Sequence, residues 1–83
     1  MKLKPNELVE ITWQDSETRP GWTVPADLDR VEPPTVRTSG YYHGCKRVKG
    51  KVKWVIVKHS IAEDGEADYT VIPFGCVVSM RRI

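Results

Sequence analysis

The stretch YYHGCKRVKGKVKWVIVKH, residues 41–59, decides the fold because it holds two strand-like segments around one glycine. Residues 41–48 and 52–59 are rich in β-branched and aromatic side chains, as strands usually are. Between them lies Lys49-Gly50-Lys51, in which glycine supplies a positive φ without steric cost. The pattern therefore predicts a β-hairpin with a tight turn.

The register of this hairpin has two solutions. A two-residue turn would place Cys45 opposite Trp54, whereas a three-residue loop would place Cys45 opposite Val55. The two-residue turn would also set Lys46 against Lys53, which is unfavourable unless an anion lies nearby. The sequence leaves both registers open.

Three further strands are indicated outside the hairpin. Residues 8–13 and 69–72 are short runs of β-branched and aromatic residues, and Asp64-Gly65 marks the turn before the second of them. Pro73 cannot donate to a ladder, so we expect the chain to break in a 3₁₀-like turn and to resume as a strand over 76–80.

A long connection of residues 14–35 joins the first strand to the hairpin and contains four prolines. Within it, residues 25–31 predict a helical turn or two, since Pro25 suits the first helical position and Asp27 the first turn. The sequence therefore predicts one domain, residues 1–83, that is mostly β: a small five-stranded SH3-like barrel with a long first loop containing a short helical turn. Closing the sheet into a barrel would protect its edges.

Size and composition argue against several classes of protein. A chain of 83 residues buries only about 60% of its unfolded surface, which leaves little room for a catalytic cleft, so we expect no enzyme activity. With 40% hydrophobic and 29% charged residues, the chain resembles neither a disordered tail nor a membrane span. No apolar stretch follows Lys2 and Lys4, so we expect no secretory signal and a cytoplasmic setting.

The net charge of +2 hides a strong segregation of charge along the chain. Residues 1–35 carry −3, residues 36–59 carry +7 with no carboxylate, residues 60–70 carry −4, and Arg81 and Arg82 add +2. The carboxylate-free segment is therefore the first place to look for an anionic partner.

The predicted hairpin turn is the main candidate for binding such a partner, because residues 46–53 hold five cations: Lys46, Arg47, Lys49, Lys51 and Lys53. Clustered like charges repel, and a phosphate backbone or an acidic protein face would relieve that repulsion. The alternative is a solvated hairpin whose lysines keep the protein in solution and block edge pairing.

A second candidate surface lies in the long loop. We expect Trp22 to fold back and plug one end of the barrel, since large aromatic side chains usually gain most from burial. In the alternative, Trp22 contacts a protein partner together with the acidic Asp15 and Glu17, which would suit a basic or proline-rich peptide.

Two cysteines and two histidines form a weaker candidate set for a metal: His43, Cys45, His59 and Cys76. His43 and Cys45 would share a face in a regular strand, and the donor types suit zinc, although the spacing matches no common zinc motif. We instead expect both cysteines to be free and buried, and the protein to need no metal or other cofactor.

Five motifs follow one another along most of the chain: Val9-Glu10-Ile11-Thr12-Trp13, Gly21-Trp22, Ser39-Gly40-Tyr41, Trp54-Val55-Ile56-Val57 and Val71-Ile72-Pro73-Phe74-Gly75-Cys76-Val77. In this order the chain resembles small phage and prophage proteins of unassigned function. The resemblance implies a fold rather than an activity, and a setting in the cytoplasm of a bacterial host cell. We therefore expect a non-enzymatic binding module that docks on a host or phage protein, as an inhibitor in one form of this hypothesis. The alternative is a nucleic-acid-binding protein that uses the basic hairpin.

Overall fold

The computed structural model describes residues 2–83 and contains five strands, one short helix and one 3₁₀ turn. In chain order these are β1 (Leu8–Gln14), α1 (Pro25–Leu28), β2 (Thr35–Val48), β3 (Lys51–Ile61), β4 (Ala67–Pro73), the 3₁₀ turn (Phe74–Cys76) and β5 (Val77–Arg82). The mostly β class, the five strands, the helical turn at Pro25 and the break after Pro73 are confirmed. Within residues 2–83 no helix is both long and apolar enough to cross a bilayer.

The strands form one antiparallel sheet in the order β4-β3-β2-β1-β5. Across residues 2–83 no ladder joins β4 to β5, so these two strands are the edges of an open sheet. The predicted closure into a barrel is therefore not confirmed. The ladders contain four register shifts, one in β1–β5, two in β2–β3 and one in β3–β4.

The β2–β3 hairpin combines features of both predicted registers. Its turn has two residues, because Val48 pairs with Lys51. Beyond the turn, a bulge between Lys46 and Arg47 shifts the ladder, and Cys45 lies opposite Val55. The opposition of Lys46 and Lys53 that a regular two-residue-turn register would give is absent, since the bulge places Lys46 against Trp54 instead.

The core lies on one face of the curved sheet. Five aliphatic side chains there are at most 1% exposed: Val9, Ile11, Val55, Val57 and Ile72. In β1 and β3 they occupy alternate positions, as expected for strands with one buried face. At the margin of this core, the indole Nε1 of Trp13 donates a hydrogen bond to Thr38 Oγ1 at 3.0 Å.

Strand β2 connects the two halves of the sheet. Residues 35–41 of β2 pair with β1 and residues 41–48 pair with β3, so the two ladders meet next to Gly40. A Cβ at Gly40 would overlap the carbonyl oxygen of Lys58 and lie 2.6 Å from Val57 Cγ1. Only glycine, which has no Cβ, allows the backbones of β2 and β3 to come this close.

The connection between β1 and β2 leaves the sheet as an arm, defined here as residues 15–34. All of these residues are exposed except Pro34, which is half-buried. The arm contributes to an elongated shape of 51 × 29 × 23 Å with a radius of gyration of 15.9 Å, against about 12 Å expected for a compact chain of this length. Trp22 is completely exposed, at 104% of its reference area, so the expectation that it plugs one end of a barrel is wrong.

Candidate binding surfaces

The basic hairpin, residues 46–53, is closed by a two-residue turn at Lys49-Gly50. Lys49 and Gly50 both have positive φ, 52° and 79°, which is the conformation of a type I′ turn. This turn matches the twist of the flanking strands and projects the turn residues away from the core. The two residues therefore form the tip of a rigid, solvent-exposed hairpin.

All five cations of the basic hairpin are exposed. The ion pairs found within residues 2–83 are Arg19–Glu17, Arg81–Glu10 and Arg82–Glu7, and none of them uses a hairpin cation. Arg47 donates only a long hydrogen bond of 3.5 Å to the carbonyl oxygen of Gly50. The hairpin thus presents a positive surface whose charge no carboxylate of the described chain neutralises.

The sheet face opposite the core carries a shallow groove that extends from the middle of β3 to the β3–β4 turn. His43, Ile56, Lys58, Gly65, Ala67, Tyr69 and Val71 line it. Val71 lies opposite Ile56 and Tyr69 opposite Lys58, while Trp54 occupies the next position toward the hairpin. This surface, called here the outer groove, reaches the β3–β4 turn, where the exposed carboxylates Asp64, Glu66 and Asp68 flank its lining residues Gly65 and Ala67 along the chain.

Several side chains of the outer groove expose apolar surface to solvent: Trp54 is 37% exposed, Val71 43% and Tyr69 64%. This groove is not among the surfaces predicted from the sequence. Its signal lies in β3, where Trp54, Ile56 and Lys58 alternate with the core residues Val55 and Val57.

The arm is the second exposed surface. Its base is closed by a hydrogen bond from the Asp15 backbone N–H to the carbonyl oxygen of Pro34, at 3.0 Å. Helix α1 gives it some internal order, and Arg19 pairs with Glu17. Asp15 accepts a hydrogen bond from the backbone of Ser16, at 2.8 Å.

The arm combines apolar and acidic side chains. Its exposed apolar residues are Trp22 (104%), Val24 (60%), Leu28 (56%) and Val31 (66%). Trp22, Leu28 and Val31 line a shared cleft whose rim includes Glu17 and Arg19. Five carboxylates against two arginines give the arm a net charge of −3. The structure thus brings Trp22 close to Glu17, while Asp15 lies at the base of the arm.

The proposed metal ligands lie apart. His43 sits at a register shift in β2 and lines the outer groove, whereas Cys45 lies opposite the buried Val55 on the core side. The regular alternation assumed for this pair is broken by the bulge. In residues 2–83 no three His, Cys, Asp or Glu side chains form a group able to hold a metal ion.

The remaining two candidate ligands have other surroundings. The Nδ1–H of His59 donates to the carbonyl oxygen of Ser39 at 3.2 Å, which leaves Nε2 to accept the Thr70 hydroxyl at 2.8 Å. His59 therefore ties β2 to β4 across β3. Cys76 lies half-buried in the 3₁₀ turn.

Both cysteines are free, but neither is fully buried, so their predicted burial is wrong. Cys45 is exposed and lies beside Tyr42. Burial, and after it the hydrogen bond with the Cys45 thiol, raises the pKa of the Tyr42 hydroxyl above its ordinary value. The pair forms a polar spot at the margin of the core.

No protein-family model matches this chain, and neither does any curated protein or solved structure. The functional argument therefore rests on the basic hairpin, the outer groove and the arm.

Proposed function

We propose that this chain is a non-enzymatic binding module of phage type, with an SH3-like architecture, that docks on a host or phage protein through its arm. The observation that carries the proposal is the complete exposure of Trp22 beside three exposed aliphatic side chains of the arm. Exposed apolar surface of this kind is costly in water and is typical of a protein interface. Tryptophan is also among the residues that most often dominate binding energy.

The SH3-like part of the proposal is supported by chain order. A long connection separates β1 from β2, two hairpins follow, and a 3₁₀ turn precedes the last strand. These are the features that pointed to this architecture in the sequence. The open edges β4 and β5 make it a partly opened version of the predicted barrel.

The charge of the arm favours a protein over a nucleic acid as its partner. A surface of −3 repels phosphate, whereas the carboxylates around Trp22 would attract basic groups at the rim of a protein interface. The buried centre of such an interface would be formed by Trp22, Leu28 and Val31, which share one cleft.

Capture from a nuclease-treated bacterial host lysate tests this proposal. The wild-type chain should retain one dominant protein, identified by mass spectrometry, and Trp22→Ala should weaken its retention at least tenfold, because hot-spot truncations cost about 2 kcal/mol or more. Val78→Ala is the control, since Val78 is 61% exposed on β5, outside the arm. Equal retention of the partner by Trp22→Ala and the wild type would refute the role of the arm.

The basic hairpin supports a second candidate function, nucleic-acid binding. Five exposed cations lack carboxylate partners in the described chain, and the partly exposed Trp54 beside them could stack on a base. If all five cations contact phosphates of a duplex, log K should fall with log[salt] at a slope of about −4.5. A fourfold rise in salt would then weaken binding by roughly 500-fold.

Charge reversal tests this second candidate. The double variant Lys49→Glu, Lys51→Glu should reduce the slope to about −2.7, because two phosphate contacts are lost. The variant Lys2→Glu, Lys4→Glu has the same net charge but an intact hairpin, so its slope should stay at the wild-type value. Recognition of nucleic acid by the hairpin would be excluded if both double variants changed the salt slope equally, or if binding by the wild type did not depend on salt concentration.

A further inference from the structure

We infer that the arm of one copy of this chain docks on the basic hairpin and the adjoining Trp54 of a second copy. The inference rests on the proposed function, in that the arm is taken as a protein-binding element, and it names the partner as the chain itself. Three observations support it: complementary charge, complementary apolar surface, and the separation of the two surfaces within one chain.

The charges of the two surfaces are opposite. The arm carries −3 and the basic hairpin carries +5, and all of the side chains concerned are exposed. The only arm carboxylate in an ion pair within residues 2–83 is Glu17, which pairs with the neighbouring Arg19. Both surfaces therefore keep nearly their whole charge available for a partner, and opposite potentials steer such surfaces together.

The apolar surfaces match as well. The arm exposes Trp22, Leu28 and Val31 around one cleft. The basic hairpin itself exposes Val48 (39%), and Trp54 (37%) follows it directly and lies opposite Lys46. Docking one on the other removes apolar area from water on both sides and leaves the charges at the rim, as in other protein interfaces.

Strand β2 keeps the two surfaces of one chain apart. The arm joins β2 at Thr35 and the hairpin turn begins after Val48, so up to about 43 Å of extended strand separates them at about 3.3 Å per residue. No ion pair of the described residues links the arm to the hairpin. The two complementary surfaces of one chain therefore lie apart in the structure, and each is available to a second copy.

A two-fold pair is the simplest assembly that uses both surfaces of each copy. In an antiparallel pair of elongated molecules, each arm lies at the level of the other copy's hairpin. Two-fold dimers are also the commonest oligomers. A head-to-tail arrangement would use the same contact and would extend into a ring or a filament.

Sedimentation equilibrium of the full chain, free of nucleic acid, tests the inference. The wild type should sediment as a dimer or larger assembly at low salt and should dissociate as salt rises. Two reversed variants should be monomeric under the same conditions: Asp27→Lys, Asp29→Lys in the arm, and Lys49→Glu, Lys51→Glu in the hairpin. Far-UV circular dichroism verifies that each variant is folded.

Mixing the two reversed variants gives the decisive result. Each retains one native surface, so an equimolar mixture should restore a 1:1 complex although neither variant assembles alone. The control Lys2→Glu, Lys4→Glu matches the charge change of the hairpin variant and should assemble like the wild type. A monomeric wild type at low salt, a mixture that stays monomeric, or assembly that appears only with added nucleic acid would overturn the inference.

The same variants separate this inference from the proposed function. A monomeric wild type whose lysate partner is lost in Trp22→Ala would refute self-association and leave the arm as a docking element for another protein. A wild type that assembles, but whose capture of another protein is unaffected by Trp22→Ala, would refute the proposed docking and leave self-association in place.

Discussion

The close approach of β3 to Gly40 makes one substitution a sensitive test of the fold. Alanine at this position would add a Cβ that overlaps the main-chain carbonyl oxygen of Lys58 and lies 2.6 Å from Val57 Cγ1. A side-chain methyl group can rotate away, but the carbonyl belongs to a paired strand and cannot move without shifting the β2–β3 ladder. We therefore expect Gly40→Ala to separate the two halves of the sheet locally.

The cost follows from overpacking. Inserting a methyl group into a filled interior costs about 1–3 kcal/mol, and contact with backbone places Gly40→Ala at the upper end, about 3 kcal/mol. For a domain of this size, each kcal/mol lowers the melting temperature by about 4–8 °C, so the expected loss is about 12–24 °C. Gly75 provides the control, because a Cβ there would meet nothing within 4 Å. Gly75→Ala should leave the stability unchanged or raise it by less than about 1 kcal/mol.

Urea denaturation followed by far-UV circular dichroism measures both variants, with an unchanged m-value as the sign that compactness is preserved. A double-mutant cycle with Val57→Ala then separates the two contacts. If the clash with the Lys58 carbonyl oxygen causes most of the destabilisation, removing the Val57 methyl groups should not rescue Gly40→Ala. The coupling free energy between the two substitutions should then stay below about 0.5 kcal/mol. The reasoning fails if Gly40→Ala unfolds within about 0.5 kcal/mol of the wild type, because surface substitutions commonly produce changes that small.

Two further substitutions test the turn and the N-terminal segment. Lys49 has a φ of 52°, and asparagine tolerates this conformation better than other side chains, so Lys49→Asn should stabilise the chain by up to about 1 kcal/mol in urea. Lys51→Asn removes the same charge from a strand position, and an equal gain there would show that charge rather than turn geometry is responsible. The pKa of Glu7 is held below its ordinary value of 4.5, chiefly by the backbone N–H of Lys4 and further by the Arg82 guanidinium. A carboxyl group whose pKa is lowered in the folded state adds stability above pH 4.5, and this stability is lost as the pH falls through the folded-state pKa. Glu7→Gln should therefore lose less stability in acid than the wild type. Parallel curves of stability against pH for the two proteins would contradict this.

The elements that could be predicted are those encoded by local signals. The β2–β3 hairpin is recognisable because glycine stands between two strand-like runs, and the 3₁₀ turn because Pro73 cannot donate to a ladder. The helical turn at Pro25 has its own start signal. Each of these depends on a few neighbouring residues, so no knowledge of the sheet is needed.

Register and closure depend on contacts between distant residues, and these were not predictable. The bulge between Lys46 and Arg47 adds a residue to one strand without any proline or glycine at that position to mark it. It pairs Lys46 with Trp54, whereas a regular two-residue-turn register would set Lys46 against Lys53, so the repulsion of that register does not arise. The open edge between β4 and β5 likewise follows from the summed curvature of the sheet, which no single segment encodes.

The candidate surfaces were likewise predictable only where local sequence determines them. The cations of the hairpin are visible in the sequence, and their exposure follows from the turn. Trp22 was expected inside because burying an aromatic side chain is favourable, but the arm leaves the sheet at Asp15 and returns at Pro34 without reaching the core. Where a loop packs is decided by tertiary contacts, and a loop sequence alone does not reveal their absence.

The arm therefore needs an explanation other than stability. None of the fully buried side chains belongs to it, and its four-residue helix is too short to be stable by itself. Ordering a residue costs about 1–2 kcal/mol in backbone entropy, which burial elsewhere in the chain must offset. Strand β2, at 14 residues the longest of the five, holds this acidic arm away from the cations of the basic hairpin. The arm and the hairpin lie at opposite ends of β2, so neither surface neutralises the other within one chain and both are available to partners.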